Sequence, residues 1–156
     1  MSASATLYLV RHAKAGSRSA WDGDDTVRPL SRAGWAQAEA LADKLGEKSP
    51  PRLVSSPSLR CIQTLEPLGK AIGIKVEPDD RLFEGGNVLP VLDLLDELPH
   101  RSVLCSHGDI IPGTVMALER RGMEITGVPD WRKASVWVLR RKGDGYDRGK
   151  SWPPPS

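Results

Sequence analysis

The sequence predicts an α/β fold, a three-layer α/β/α sandwich around a mostly parallel sheet. Three short apolar runs carry that expectation: residues 6–10 (TLYLV), 53–55 (LVS) and 103–106 (VLCS). Each is continuous, as a strand buried on both faces requires, and each is followed by polar residues and then by a stretch of helical periodicity. Strands alternating with helices place helices on both faces of one sheet. No internal repeat or composition break divides the 156 residues, so a single core serves the whole chain.

Taken in order, the first strand ends at Arg11 and His12, and a polar, glycine-bearing loop runs to Leu30. Ser31 then caps a helix from Arg32 to about Gly46, whose Trp35, Ala38, Leu41, Ala42 and Leu45 recur at helical spacing. After the second strand, Ser56 is expected as N-cap with Pro57 at the first helical position, where a missing N–H costs nothing. The helix carries Arg60 in its first turn and Ile62, Leu65, Leu68 and Ile72 beyond it, with a bend or break expected at Pro67. A strand at 74–76 and a helix over 88–98 capped by Asn87 follow. Past the strand at 103–106, His107, Gly108 and Asp109 lead into a helix over 110–121. Residues 134–139 (ASVWVL) alternate well enough for a last strand, expected at an edge, with Trp35 and Trp137 serving packing. The domain is expected over residues 1–148, and 149–156, with three consecutive prolines, as a frayed tail.

Composition excludes several classes. No apolar run is long enough to span a bilayer, and residues 1–5 have neither a basic nor an apolar signal region, so the chain reads as cytoplasmic. With 22 basic and 20 acidic residues, the charge announces neither a nucleic-acid nor a membrane partner. Cys61 and Cys105 stand far apart, in no disulfide framework or zinc pattern. Zinc on His12, His107 and Cys105 is opposed by the neighbouring arginines, and Asp22, Asp24 and Asp25 lack the spacing of a calcium loop. Neither a metal nor a cofactor is expected.

In open α/β sheets ligands bind beyond the carboxyl ends of the strands. Here those ends deliver Arg11 and His12, then Ser55, Ser56 and Arg60, then Ser106, His107 and Gly108. Guanidinium forks match phosphate oxygens, and a neutral imidazole in their midst is a nucleophile toward phosphorus. A pure phosphate binder needs charge and donors but no nucleophile.

The ordered set Arg11-His12-Ala13, Ser55-Ser56-Pro57 with Arg60, and Ser106-His107-Gly108 resembles the histidine phosphatase superfamily, the phosphoglycerate-mutase-like fold, over about residues 6–140. Arg28-Pro29-Leu30-Ser31 and Gly34 make it most similar to the short SixA-like branch. The resemblance implies that His12 becomes phosphorylated and that Arg11, Arg60 and His107 complete the phosphate pocket, with Ser106 and Gly108 beside them. Members of the superfamily often add an acid for the leaving group, at Glu84 or else Asp109 here, although SixA-like members can lack one; an alcohol needs it more than a nucleotide or imidazole does.

The loop 14–28 further resembles the phosphatase half of actinobacterial two-domain MutT-type Nudix proteins. That puts Lys14, Arg18 and Trp21 near the mouth and makes nucleotides plausible substrates. The expected activity is hydrolysis of a phosphomonoester, a phosphoanhydride or a protein phosphohistidine. The alternatives are a phosphomutase or a non-catalytic module that binds phosphate or nucleotide. Oligomeric state and physiological substrate are not written in the sequence.

Overall fold

The computed structural model describes residues 4–155. Seven strands and four α-helices alternate along the chain: β1 Ser4–Arg11, α1 Arg32–Gly46, β2 Leu53–Ser55, α2 Leu59–Ile72, β3 Val76–Pro78, α3 Val88–Glu97, β4 Val103–Ser106, α4 Ile110–Arg120, β5 Glu124–Ile125, β6 Val136–Lys142 and β7 Gly145–Trp152. They form one sheet of order β3-β2-β4-β1-β6-β7-β5. The β1–β4, β2–β4, β2–β3 and β5–β7 pairs are parallel, while β6 lies antiparallel to both β1 and β7.

Strand β1 sits inside the sheet with apolar side chains on both faces, which accounts for its unbroken apolar run. Leu7 and Leu9 enter one core with Leu92 and Leu95 of α3 and Val115 and Leu118 of α4, around Trp137. Tyr8 and Val10 enter the opposite core with Leu41 and Leu45 of α1 and Leu65 and Leu68 of α2. The three-layer expectation therefore holds, with one helix pair on each face.

Helix α1 begins where its cap dictates: the Gly34 N–H donates to Ser31 Oγ at 3.1 Å. Asn87 caps α3 in the same way, accepting from the Leu89 N–H at 3.2 Å. Helix α2 departs from expectation at its N-cap and is not broken at Pro67. Its N-cap is Ser58, because the hydroxyl of Ser56 is turned to His107 instead. Pro67 lies within an uninterrupted helix. The strand expected at 74–76 begins two residues later, at Val76.

Two expectations for the end of the chain are corrected. Strand β6 is an internal strand between β1 and β7, not an edge; the edges are β3 and β5. Residues 149–152, expected in a frayed tail, belong to β7. Polar β7 is held by its hairpin partner: the Arg140 guanidinium bonds both oxygens of Asp147, at 2.8 and 2.6 Å. At its end Trp152 packs on Tyr8, ring centroids 5.6 Å apart, beneath the ammonium of Lys44. Among the described residues no helix is long and apolar enough to cross a membrane.

Candidate active site

Parallel pairing of β1 with β4 sets Arg11 beside Ser106, so the residues that follow leave the sheet together. The His12 N–H donates to the Ser106 carbonyl at 3.0 Å. The imidazoles of His12 and His107 consequently meet edge to face, centroids 5.5 Å apart. His12 Nδ1 lies 2.8 Å from the carbonyl oxygen of Ala13. A carbonyl only accepts, so Nδ1 carries the hydrogen and Nε2 keeps its lone pair. Burial lowers the His12 pKa to about 3, the Ala13 carbonyl opposing and the charges of His107, Arg60 and Arg11 reinforcing the shift. The ring is therefore neutral at physiological pH.

Three side chains at or near this pair of imidazoles carry buried nitrogens that nothing among the described residues satisfies. Arg11 Nε, Arg60 Nε and His107 Nδ1 are buried without a hydrogen-bond partner. Unpaired buried donors are costly, and three around one place are matched by an anion with several acceptor oxygens. His107 is fixed through its other nitrogen, 2.8 Å from Ser56 Oγ. Arg11 is held by the Trp131 carbonyl, accepting from Nη1 at 2.7 Å.

Arg60 is fully buried. Its Nη1 donates to the Asp25 carbonyl at 2.8 Å, and its Nη2 lies 3.0 Å from Glu84 Oε1 and 3.1 Å from Asp25 Oδ2. Asp25 also accepts from the buried Arg28 at 2.9 Å and lies 3.5 Å from Arg18. The Arg28 hydrogen bond, with Arg60 and Arg18 nearby, holds the Asp25 carboxyl below its usual range against the effect of burial. Glu84 Oε2 takes Arg18 Nη2 at 3.3 Å and stands 3.9 Å from His107 Nδ1.

Arg11, His12, Arg18, Arg28, Glu84 and His107 line a cavity of about 540 Å³, which Arg60 and Asp25 adjoin only through their contacts with Glu84 and Arg28. Of the residues singled out in the sequence, Arg11, His12, Arg18, Glu84, His107, Gly108 and Asp109 line it, and Arg60 reaches it through Glu84. Asp109 is committed to the loop, its Oδ2 accepting from the Gly85 N–H at 2.6 Å. Ser106 is buried with its hydroxyl on the Leu82 carbonyl. Lys14 lines a neighbouring cavity instead. Trp21 lines neither, its indole N–H bonded to the Asp24 carbonyl at 2.8 Å.

Four residues of the site escaped the sequence reading: Asp25, Arg28, Ser56 as a partner of His107, and Lys133, which lines the cavity. The proximity of Asp25 to its cations was the one signal available, in the acidic run within a basic loop. Among the described residues no three His, Cys, Asp or Glu side chains gather as metal ligands do.

Residues 7–89 match the model of the histidine phosphatase superfamily (branch 1). The chain is 33% identical over 141 residues to the 8-oxo-(d)GTP phosphatase of Mycolicibacterium smegmatis, a match covering 86% of this chain and 44% of that protein. It thus spans less than half the length of this relative. Among solved structures it resembles the protein assigned as phosphohistidine phosphatase SixA from Nakamurella multipartitia, with 29% identity, 99% and 98% of the two chains covered and a TM-score of 0.75. The corresponding SixA protein from Agrobacterium tumefaciens gives 26% identity, 96% and 98% coverage and a TM-score of 0.71.

Proposed function

We infer, because the chain belongs to the histidine phosphatase superfamily, that it is a phosphatase working through a phosphohistidine on His12. The observation that carries this reading is the pairing of a neutral His12, its Nε2 lone pair unengaged, with three unsatisfied buried donors on Arg11, Arg60 and His107.

In the first step His12 Nε2 forms a bond to phosphorus as the bond to the leaving oxygen or nitrogen breaks. Arg11, Arg60 and His107 bind the equatorial oxygens, where charge is spread in the transition state. An alcohol leaving group requires a proton, which Glu84, lining the cavity 3.9 Å from His107, would supply only after leaving its ion pairs with Arg60 and Arg18 and taking up a proton. In the second step water attacks the phosphohistidine, the N–P bond breaks back onto Nε2, and inorganic phosphate leaves with one proton released.

Substrates of the class are phosphorylated small molecules, nucleotides and phosphohistidine proteins. The relatives support both ends of that range, one carrying an 8-oxo-(d)GTP phosphatase assignment and others a phosphohistidine phosphatase assignment. Two buried free cysteines, Cys61 and Cys105, fit a reducing compartment such as the cytoplasm.

The test is turnover of p-nitrophenyl phosphate by native protein and by His12→Ala, together with acid-labile labelling of the native protein by a radioactive phosphoryl donor. Loss of turnover by at least a thousandfold and loss of the label are expected. Equal turnover by the two proteins would sink the assignment.

A further inference from the structure

A second cavity, of about 720 Å³, adjoins the first and shares two of its walls, Arg11 and Lys133. Its remaining lining combines cations, Lys14 and Arg132, with the small apolar side chains of Ala33, Ala36, Pro154 and Pro155. The two cations on the side of Arg11 differ in what they already bind. Arg132 is exposed and chelated by Asp130, with a shortest contact of 2.6 Å. Lys133 is half-buried and forms no ion pair among the described residues.

The placement of Lys133 is imposed by the backbone. The next residue, Ala134, is fully buried and left-handed, φ 68°, a conformation that an L-residue other than glycine adopts at a cost. Its N–H donates to the carbonyls of Arg11 and His12, at 3.0 and 3.2 Å, while the Arg11 N–H donates to the Ser135 carbonyl at 3.1 Å. The turn is thus riveted to the residues that carry the nucleophile. Burial lowers the Lys133 pKa, and the charges of Arg11, Arg28, Arg18 and Arg60 lower it further. A cation held by strained backbone among four guanidiniums has no favourable partner in the protein itself. An anion on the boundary between the cavities supplies one.

We propose that Lys133 and the second cavity form a leaving-group subsite for a phosphate, so that the preferred substrate is a phosphoanhydride, a nucleoside di- or triphosphate, giving up its terminal phosphoryl group. This rests on His12 being the nucleophile. As the bond from Nε2 to phosphorus forms, the bridging P–O bond breaks and its electron pair stays on the bridging oxygen. The departing phosphate needs a cation at that oxygen and no proton, which is what distinguishes it from an alkoxide. Lys133 meets that oxygen, Lys14 lies further along the cleft, and the Ala33, Ala36 and proline wall takes the organic end.

The experiment compares kcat/KM for GDP and for p-nitrophenyl phosphate in native protein, Lys133→Ala and Lys133→Arg, with His12→Ala alongside. Lys133→Ala is expected to lower the GDP value at least tenfold more than the p-nitrophenyl phosphate value. Lys133→Arg, which keeps the charge, is expected to restore most of the difference. Equal losses on both substrates, or native protein favouring the monoester, overturn the leaving-group subsite while leaving the phosphohistidine reading intact if turnover still requires His12. Monoester turnover that survives in His12→Ala overturns both.

Discussion

Gly108 lies flat against the guanidinium of Arg11: a Cβ on Gly108 would stand 2.7 Å from both Cζ and Nη2 of that side chain. Arg11 cannot retreat without leaving the Trp131 carbonyl that positions it. Gly108→Ala is therefore expected to push the guanidinium off its mark and lower kcat/KM for a phosphate ester by roughly 10- to 100-fold, since misplacements of about 1 Å cost that much. Steady-state kinetics beside a urea unfolding curve checks this. A loss of stability matching the loss of activity would point to a folding defect instead.

His12 makes the folded state sensitive to acid. Its pKa falls from 6.5 to about 3 on folding. Between those values the unfolded chain binds a proton that the folded one refuses, so stability is full above the upper value and is lost as pH falls toward the lower one. The cost by about pH 4.5 is roughly 3 kcal/mol, two pH units below 6.5 at about 1.4 kcal/mol per unit. Going from neutral to mildly acid pH is expected to lower the urea midpoint of native protein more than that of His12→Asn, and equal shifts would show that burial of the imidazole has no such effect. By the same shift, no loss of activity through His12 protonation is expected between about pH 5 and 8.

Asp25 gathers three guanidiniums, and the side chains of two, Arg28 and Arg60, are almost wholly buried. Asp25→Asn keeps the shape and removes the charge that compensates them. Because Asp25 is itself about one-third exposed, solvent screens part of the effect, and a destabilisation of about 1–2 kcal/mol is expected. Thermal unfolding reads it. An unchanged midpoint would show that the arginines find other partners at no cost.

What the sequence made legible follows from locality. Strands β1, β2 and β4 are buried on both faces, so their apolar runs are unbroken and the residues after them could be read directly as the site edge. The bounds of α1 were written in Ser31 and in the spacing of Ala38, Leu41 and Leu45. Strand β7 was not legible, because it has only Tyr146 and Trp152 as large apolar residues and persists through pairing with β6. Strand β5, two residues long, has no period to detect. Asp25 reaches Arg60 only through the path of a loop, and Lys133 reaches the site only because a buried left-handed alanine docks its turn on β1. Nothing near Lys133 in the chain records its contact, and the acidic run around Asp25 points to nearby cations but not to Arg60.

The position of β1 bears on how the molecule comes into being. Strand β1 lies between β4 and β6, which follow it at a distance in the sequence, and β2, the strand next after it, does not flank it. A nascent chain that has already exposed His12, His107, Arg11 and Arg60 still lacks the strand that closes the sheet over β1. Competence to handle phosphate should accordingly switch on only once residue 142 has emerged, instead of growing by stages.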